Sequence, residues 1–115
     1  MSIDETIRED LANARHSFNH NDPILAIAYL DSVRTIAENN GIDLPEEYDS
    51  LRRGVGELFV KLILDDVGYF LDEGNFDAAG ANLSFVKYFS SENNVSLPKE
   101  YDSLRKRLSE LYSES

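Results

Sequence analysis

His16 and His20 are the chain's two histidines, four residues apart. On a helix that spacing puts both imidazoles on one face, where they could share a divalent metal. The zinc-protease pattern needs a glutamate directly after the first histidine, and Ser17 stands there. A third ligand would have to come from Asn19 or Asp22, where the helix should be ending. The pair reads better as polar residues at a helix C-terminus, where a cationic imidazole suits the dipole. Adjacent carboxylates occur at Glu46–Glu47 and Asp65–Asp66. Neighbours on a helix point about 100° apart, so neither pair converges. General acid–base work needs convergent groups in an apolar pocket, so both pairs read as solvated faces. The chain has no cysteine, which excludes disulfides and thiolate metal sites. No Gly-rich phosphate loop, nucleophile elbow or Ser/His/Asp set is visible. We expect no catalysis, no catalytic residue, no metal site and no cofactor.

The composition fits that reading. At 115 residues the chain has room for a single domain with a modest core. Hydrophobic residues are 42% and charged residues 29%, which argues for a folded chain over a disordered one. No apolar run approaches the length of a membrane span, so no membrane is expected. The start, "MSIDETIRED", is too charged for a signal peptide, and the cytoplasm is the expected location. The net charge is −11, from 22 acids and 11 bases. Phosphate-backbone binding usually leaves a basic footprint, so no nucleic-acid partner is expected. A basic protein partner suits the field better, because opposite charge steers encounter.

The elements that position these residues announce themselves by repetition. "LPEEYDSLRR" at residues 44–53 returns as "LPKEYDSLRK" at residues 97–106, an offset of 53. The same offset aligns Ala26, Ala28, Leu30 and Val33 with Ala79, Ala81, Leu83 and Val86. It also aligns Ile7, Leu11, Ala14 and Phe18 with Val60, Leu64, Val67 and Leu71. Those spacings of 4, 3 and 4 make an apolar helix stripe. Similarity that follows apolar positions predicts a tandem duplication of a structural unit, with repeats 1–58 and 59–115 in a single domain 1–115.

Each unit reads as three helices. The first is expected near residues 4–18, with Ile3, Ile7, Leu11, Ala14 and Phe18 on one face. Asp22 is a candidate N-cap, with Pro23 at the first helical position. The second helix should run to Asn39, with Gly41 in the left-handed conformation after it. Its many apolar residues predict burial on two sides. Asp43 and Glu46 read as a capping box opening the third helix. Tyr48 and Tyr101, at helical spacing from Leu51 and Leu104, read as buried anchors with the hydroxyl at the edge. The other charged residues of this stretch read as solvent-facing. No turn signal interrupts "ELFVKLILDDVGYFLDEG", so one long helix is expected over roughly 46–73. Gly54 and Gly56 inside it each cost about 1 kcal/mol relative to Ala. A close neighbour or a kink would account for them. The whole is all-α, with about five helices and a long central one.

The stretch "VGYFLDEGNFDAAGANLSFV" at residues 67–86 resembles a tetratricopeptide-type (TPR-like) helical repeat. Phe70, the "GNF" turn at 74–76, Ala79 and Leu83 match that family's aromatic, turn, small and large positions. Ser17, "NDP", Ala26 and Leu30 match them less well in the first unit. The family's period is near 34 residues, against 53 here with a third helix. The resemblance implies helical hairpins and binding of peptides or protein segments. A second stretch, "RHSFNH" at residues 15–20, resembles the arginine–histidine motif of HEPN-like helical ribonucleases. It implies a rival function in which Arg15 and His20 face RNA. The motif lies in the first helix instead of a late one, and the −11 charge opposes RNA.

Aromatics concentrate in the second unit, and so small a core cannot hold them all. Tyr69 and Phe70, or Phe85, Tyr88 and Phe89, are the candidate lining of a partner-binding groove. The expected function is a small non-catalytic helical-repeat module for protein–protein interaction, holding a peptide or helix of a partner protein. A homodimer, or a purely structural homo-oligomer, is the other use of such a surface.

Overall fold

A computed structural model of the chain describes residues 2–114. They form five α-helices: α1 (Ile3–Asn19), α2 (Pro23–Asn39), α3 (Glu46–Asp72), α4 (Phe76–Glu92) and α5 (Lys99–Glu114). No strand occurs among the described residues. The helices pack as successive hairpins, and α3 is the longest at 27 residues. The contacts divide the chain into two compact units, Met1–Leu58 and Phe59–Ser115. The division falls within α3, so each unit draws on part of that helix.

In the first unit α1 opens with Ser2 as N-cap, whose side chain accepts the Glu5 N–H at 3.1 Å. Asp4 and Glu5 add negative charge at the positive end of the dipole. Ile7, Leu11 and Ala14 are buried along one stripe, while Ile3 stays 41% exposed. The expected face therefore begins one turn later than the spacing suggested. The turn after α1 places Asn21 at φ +57°, and the Asp22 N–H closes it on the Ser17 carbonyl at 2.9 Å. Asp22 then caps α2, accepting the Leu25 N–H at 3.1 Å, with Pro23 at the first position.

Helix α2 buries Pro23, Ala26, Leu30, Val33 and Ala37, a single stripe. Ile24 is 69% exposed and Leu25 45%, so burial on two sides is not what forms. An apolar residue is buried only where an element lies against it. Gly41, at φ +61°, follows the helix as expected. The Ile42 N–H then returns to the Ala37 carbonyl at 2.9 Å.

Helix α3 begins at Glu46, so Asp43 lies three residues ahead of it and the capping box does not form. Pro45 is the reason. A proline disfavours helical dihedrals in the residue before it, here Leu44, so a helix cannot begin as early as Asp43. Within this unit α3 contributes Tyr48 and Val55 to the core of α1 and α2. Gly54 has a local cause: a Cβ there would sit 3.3 Å from Cζ of Phe18. The ring packs on the backbone where a side chain would stand.

The second unit has its own core. Val60, Leu64, Val67 and Leu71 of α3 meet Ala79, Leu83 and Val86 of α4, with Val95 and Tyr101. Leu104, Leu108 and Leu111 of α5 pack against it, partly buried. The turn after α3 places Gly74 at φ +77°, and the Asn75 N–H reaches the Phe70 carbonyl at 2.8 Å. Asn75 caps α4, accepting the Ala78 N–H at 3.2 Å. Ala79, with no exposed surface, lets α4 lie close at its first turn. After α4, Asn94 adopts φ +54° and the Val95 N–H returns to the Ser90 carbonyl at 2.9 Å. Among the described residues no helix is long and apolar enough to cross a membrane.

Candidate functional site

The five aromatics singled out by sequence fall into two groups within the second unit. Phe85, Tyr88 and Phe89 share one face of α4, because spacings of three and four bring side chains together on a helix. Phe89 is partly buried against the core, while Phe85 is 42% exposed and Tyr88 65%. Phe85 and Phe89 lie 6.0 Å apart, and both meet Phe59 of α3. The Phe59–Phe89 contact is edge-on at 4.9 Å, the arrangement ring quadrupoles prefer. Tyr69 and Phe70 form the other group at the end of α3, 6.0 Å apart. Phe70 packs on the core, and Tyr69 is 62% exposed. Among the described residues no ring contact joins the two groups.

Phe59 belongs to neither apolar stripe read from the sequence, and so it was not among the candidates. The signal that could have found it is its phase. It lies one residue before Val60, and so it flanks the second unit's stripe. Ile63, one residue before Leu64, is likewise partly buried against that core. Together Phe59, Phe85 and Phe89 make one ring cluster across α3 and α4, and the exposed Tyr88 follows Phe85 by three residues on α4.

The first unit carries polar groups at the same register. Thr6, Asp10, Ser32 and Thr35 precede Phe59, Ile63, Phe85 and Tyr88 by 53 residues. The Ser32 hydroxyl donates to Asp10 Oδ2 at 2.8 Å, linking α1 to α2 with a hydrogen bond. In the second unit the two corresponding residues are apolar.

The remaining candidates stand as follows. Arg15 is half exposed and paired with Glu47 of α3. His20 Nδ1–H donates to its own helix's His16 carbonyl at 2.8 Å, and the two imidazoles lie 4.1 Å apart. Arg15 therefore points its charge at a carboxylate, and His20 spends one nitrogen on capping. No group of three potential metal ligands occurs among the described residues. Glu46, Glu47, Asp65 and Asp66 are all exposed.

Tyr48 and Tyr101 are each 3% exposed, and their hydroxyls accept from Arg52 at 3.1 Å and Arg105 at 2.9 Å. Arg52 departs from the expectation that charges here face solvent. Its side chain is only 23% exposed and pairs with Asp31 of α2 at 2.9 Å. Burial pushes the Arg52 guanidinium down, but the bond to Asp31 and the charges of Tyr48 and Asp31 outweigh it. The net shift is upward from an arginine's ordinary value.

No protein-family model, curated protein or solved structure matches the chain.

Proposed function

We propose that this chain is a small non-catalytic helical-repeat module that holds a peptide or helix of a partner protein. The observation that carries this reading is the exposed aromatic face on α4. A solvated Tyr88 and Phe85 beside Phe59 and Phe89 leave apolar area uncovered, and such patches mark interaction surfaces. The face is flanked by Lys87 alone among bases on that stretch of α4, within a protein of net charge −11. A partner with a basic segment is therefore steered towards it at low salt.

We further propose that the two units are copies of one TPR-like building block. Turn bonds recur at the 53-residue offset with the same partners. Asn21 N–H to Phe18 carbonyl, 3.1 Å, corresponds to Gly74 N–H to Leu71 carbonyl, 3.2 Å. Asn40 Nδ2–H to Ile36 carbonyl, 2.7 Å, corresponds to Asn93 Nδ2–H to Phe89 carbonyl, 2.9 Å. Both Tyr48 and Tyr101 N–H donate to the preceding Pro45 and Pro98 carbonyls at 3.0 Å. A shared block with polar residues on one copy and aromatics on the other would confine partner binding to the second copy.

The test is co-purification with wild type and a Phe85→Ala/Tyr88→Ala double variant. Loss of the partner with the double variant is the expected result. Recovery of the same partner by both sinks the aromatic-face reading. Sedimentation at micromolar concentration, run beside it, separates a second copy of the chain from a foreign partner. Arg15→Ala/His20→Ala should leave partner recovery unchanged.

A further inference from the structure

A groove of about 500 Å³ lies between α4 and α5, away from the ring cluster of Phe59, Phe85 and Phe89. Helix α4 contributes Gly80 and Ser84, and α5 contributes Arg105 and Ser109. Leu83 and Leu108 give it an apolar part. The first unit carries different residues at these register positions. Ile27 stands 53 residues before Gly80, and Asp31 stands 53 before Ser84. There Asp31 neutralises Arg52 at 2.9 Å, while Tyr48 accepts a second bond from the same guanidinium. Arg105 keeps the tyrosine, bonding Tyr101 at 2.9 Å, but Ser84 offers it no carboxylate. Among the described residues Arg105 is in no ion pair.

Gly80 adds an independent observation. It lies inside α4, where glycine costs about 1 kcal/mol relative to alanine. A Cβ there would meet only Leu108 Cδ2, at an ordinary 3.7 Å. No neighbour demands the glycine, and its effect is to leave the groove open.

We infer that this groove binds an acidic side chain of a partner polypeptide, with the ligand's carboxylate taking the role that Asp31 plays in the first unit. Arginine is the side chain whose fork matches a carboxylate in two bonds. Tyr101 fixes one arm of that fork in advance. The volume exceeds what one carboxylate needs, and it takes the short apolar or small residues on either side of the acid. The net charge of −11 repels an acidic ligand at a distance, but charges beyond about 8 Å are largely screened at physiological salt. This site is separate from the aromatic face, and either can fail without the other.

The experiment is amide chemical-shift titration of the full chain with two pools of acetylated, amidated tetrapeptides. One pool has the form X-Glu-X-X, with X drawn from Ser, Val and Leu, and the other has Gln in place of Glu. The Glu pool should shift the amides of Gly80, Ser84, Arg105 and Ser109, and the Gln pool should bind at least tenfold more weakly. Arg105→Gln should remove that preference. So should Ser84→Asp, which supplies the acid from within and leaves the arginine in place. Both positions are exposed, so circular dichroism should show an unchanged helix content. Equal binding of the two pools, absence of shifts with both, or an unaltered preference in Ser84→Asp would overturn the proposal. Butyrate reproducing the shifts at the same concentration would overturn it too, by assigning the groove to small carboxylates.

Discussion

Tyr48 is a core residue with a polar duty. Its ring is buried among α1 and α2, and its hydroxyl receives one arm of Arg52. Removing that hydroxyl in Tyr48→Phe should cost about 1 kcal/mol, the usual net worth of one hydrogen bond. Tyr101→Phe should cost less, because the Arg105 head is exposed and regains water. Urea midpoints of the two variants check the order; a larger loss for Tyr101→Phe would contradict it. Ser90 makes the opposite case. It is 3% exposed, and its hydroxyl has no hydrogen-bond partner among the described residues. Ser90→Ala should raise stability by roughly 0.5–1.5 kcal/mol, since an unsatisfied buried hydroxyl carries a desolvation cost. A fall in the urea midpoint would show that the hydroxyl is satisfied in solution. The two tyrosine anchors were legible, because their spacing from Leu51 and Leu104 is local. The Asp31–Arg52 pair was not, because its partners lie on different helices and only packing brings them together.

At the scale of the element, uninterrupted periodicity was the most legible signal. Helix α3 runs through 27 residues because nothing between Glu46 and Asp72 breaks it strongly enough. Gly54 and Gly68, both inside it, differ in a way the sequence hides. A Cβ at Gly68 would meet nothing within 4 Å, whereas one at Gly54 would press on Phe18 at 3.3 Å. Gly68→Ala should therefore stabilise by about 1 kcal/mol, the helix-propensity difference. Gly54→Ala should return less, because the Phe18 ring must yield to admit the methyl. Thermal melts of both variants read the difference, and an equal gain would mean that the ring moves freely. Boundaries were less legible where two local rules competed. Asp43 suits a cap and Glu46 suits its third position, but Pro45 delays the helix until Glu46 itself. The α2 surface misled for another reason: Ile24 and Leu25 are apolar by type, yet no element covers them. The aromatic candidates could be named but not sorted, since exposure of Tyr88 and burial of Phe70 depend on which helix face finds a neighbour.

At the scale of the molecule, two buried clusters matter more than the single chain that joins them. One gathers Ile7, Leu11, Leu30 and Val33, the other Val60, Leu64, Leu83 and Val86. Chains built from successive helical units gain stability from each unit and from neighbour terms, so local damage need not spread evenly. Leu83 is 2% exposed and Leu30 is fully buried, each at the middle of its own cluster. Truncating either to alanine removes transfer energy and leaves a cavity, at a cost of about 2–5 kcal/mol. Leu83→Ala should lower amide-exchange protection in α4 and α5 by most of that amount, and in α1 and α2 by clearly less. Leu30→Ala should reverse the pattern. The C-terminal half of α3 should follow α4, because Val60, Leu64 and Val67 lose their partner there. Hydrogen exchange followed by mass spectrometry on fragments from each helix resolves the two responses. Equal loss of protection in all five helices after either substitution would mean that the chain opens as one cooperative body, and the description of two separately cored units would then fail as an account of its stability.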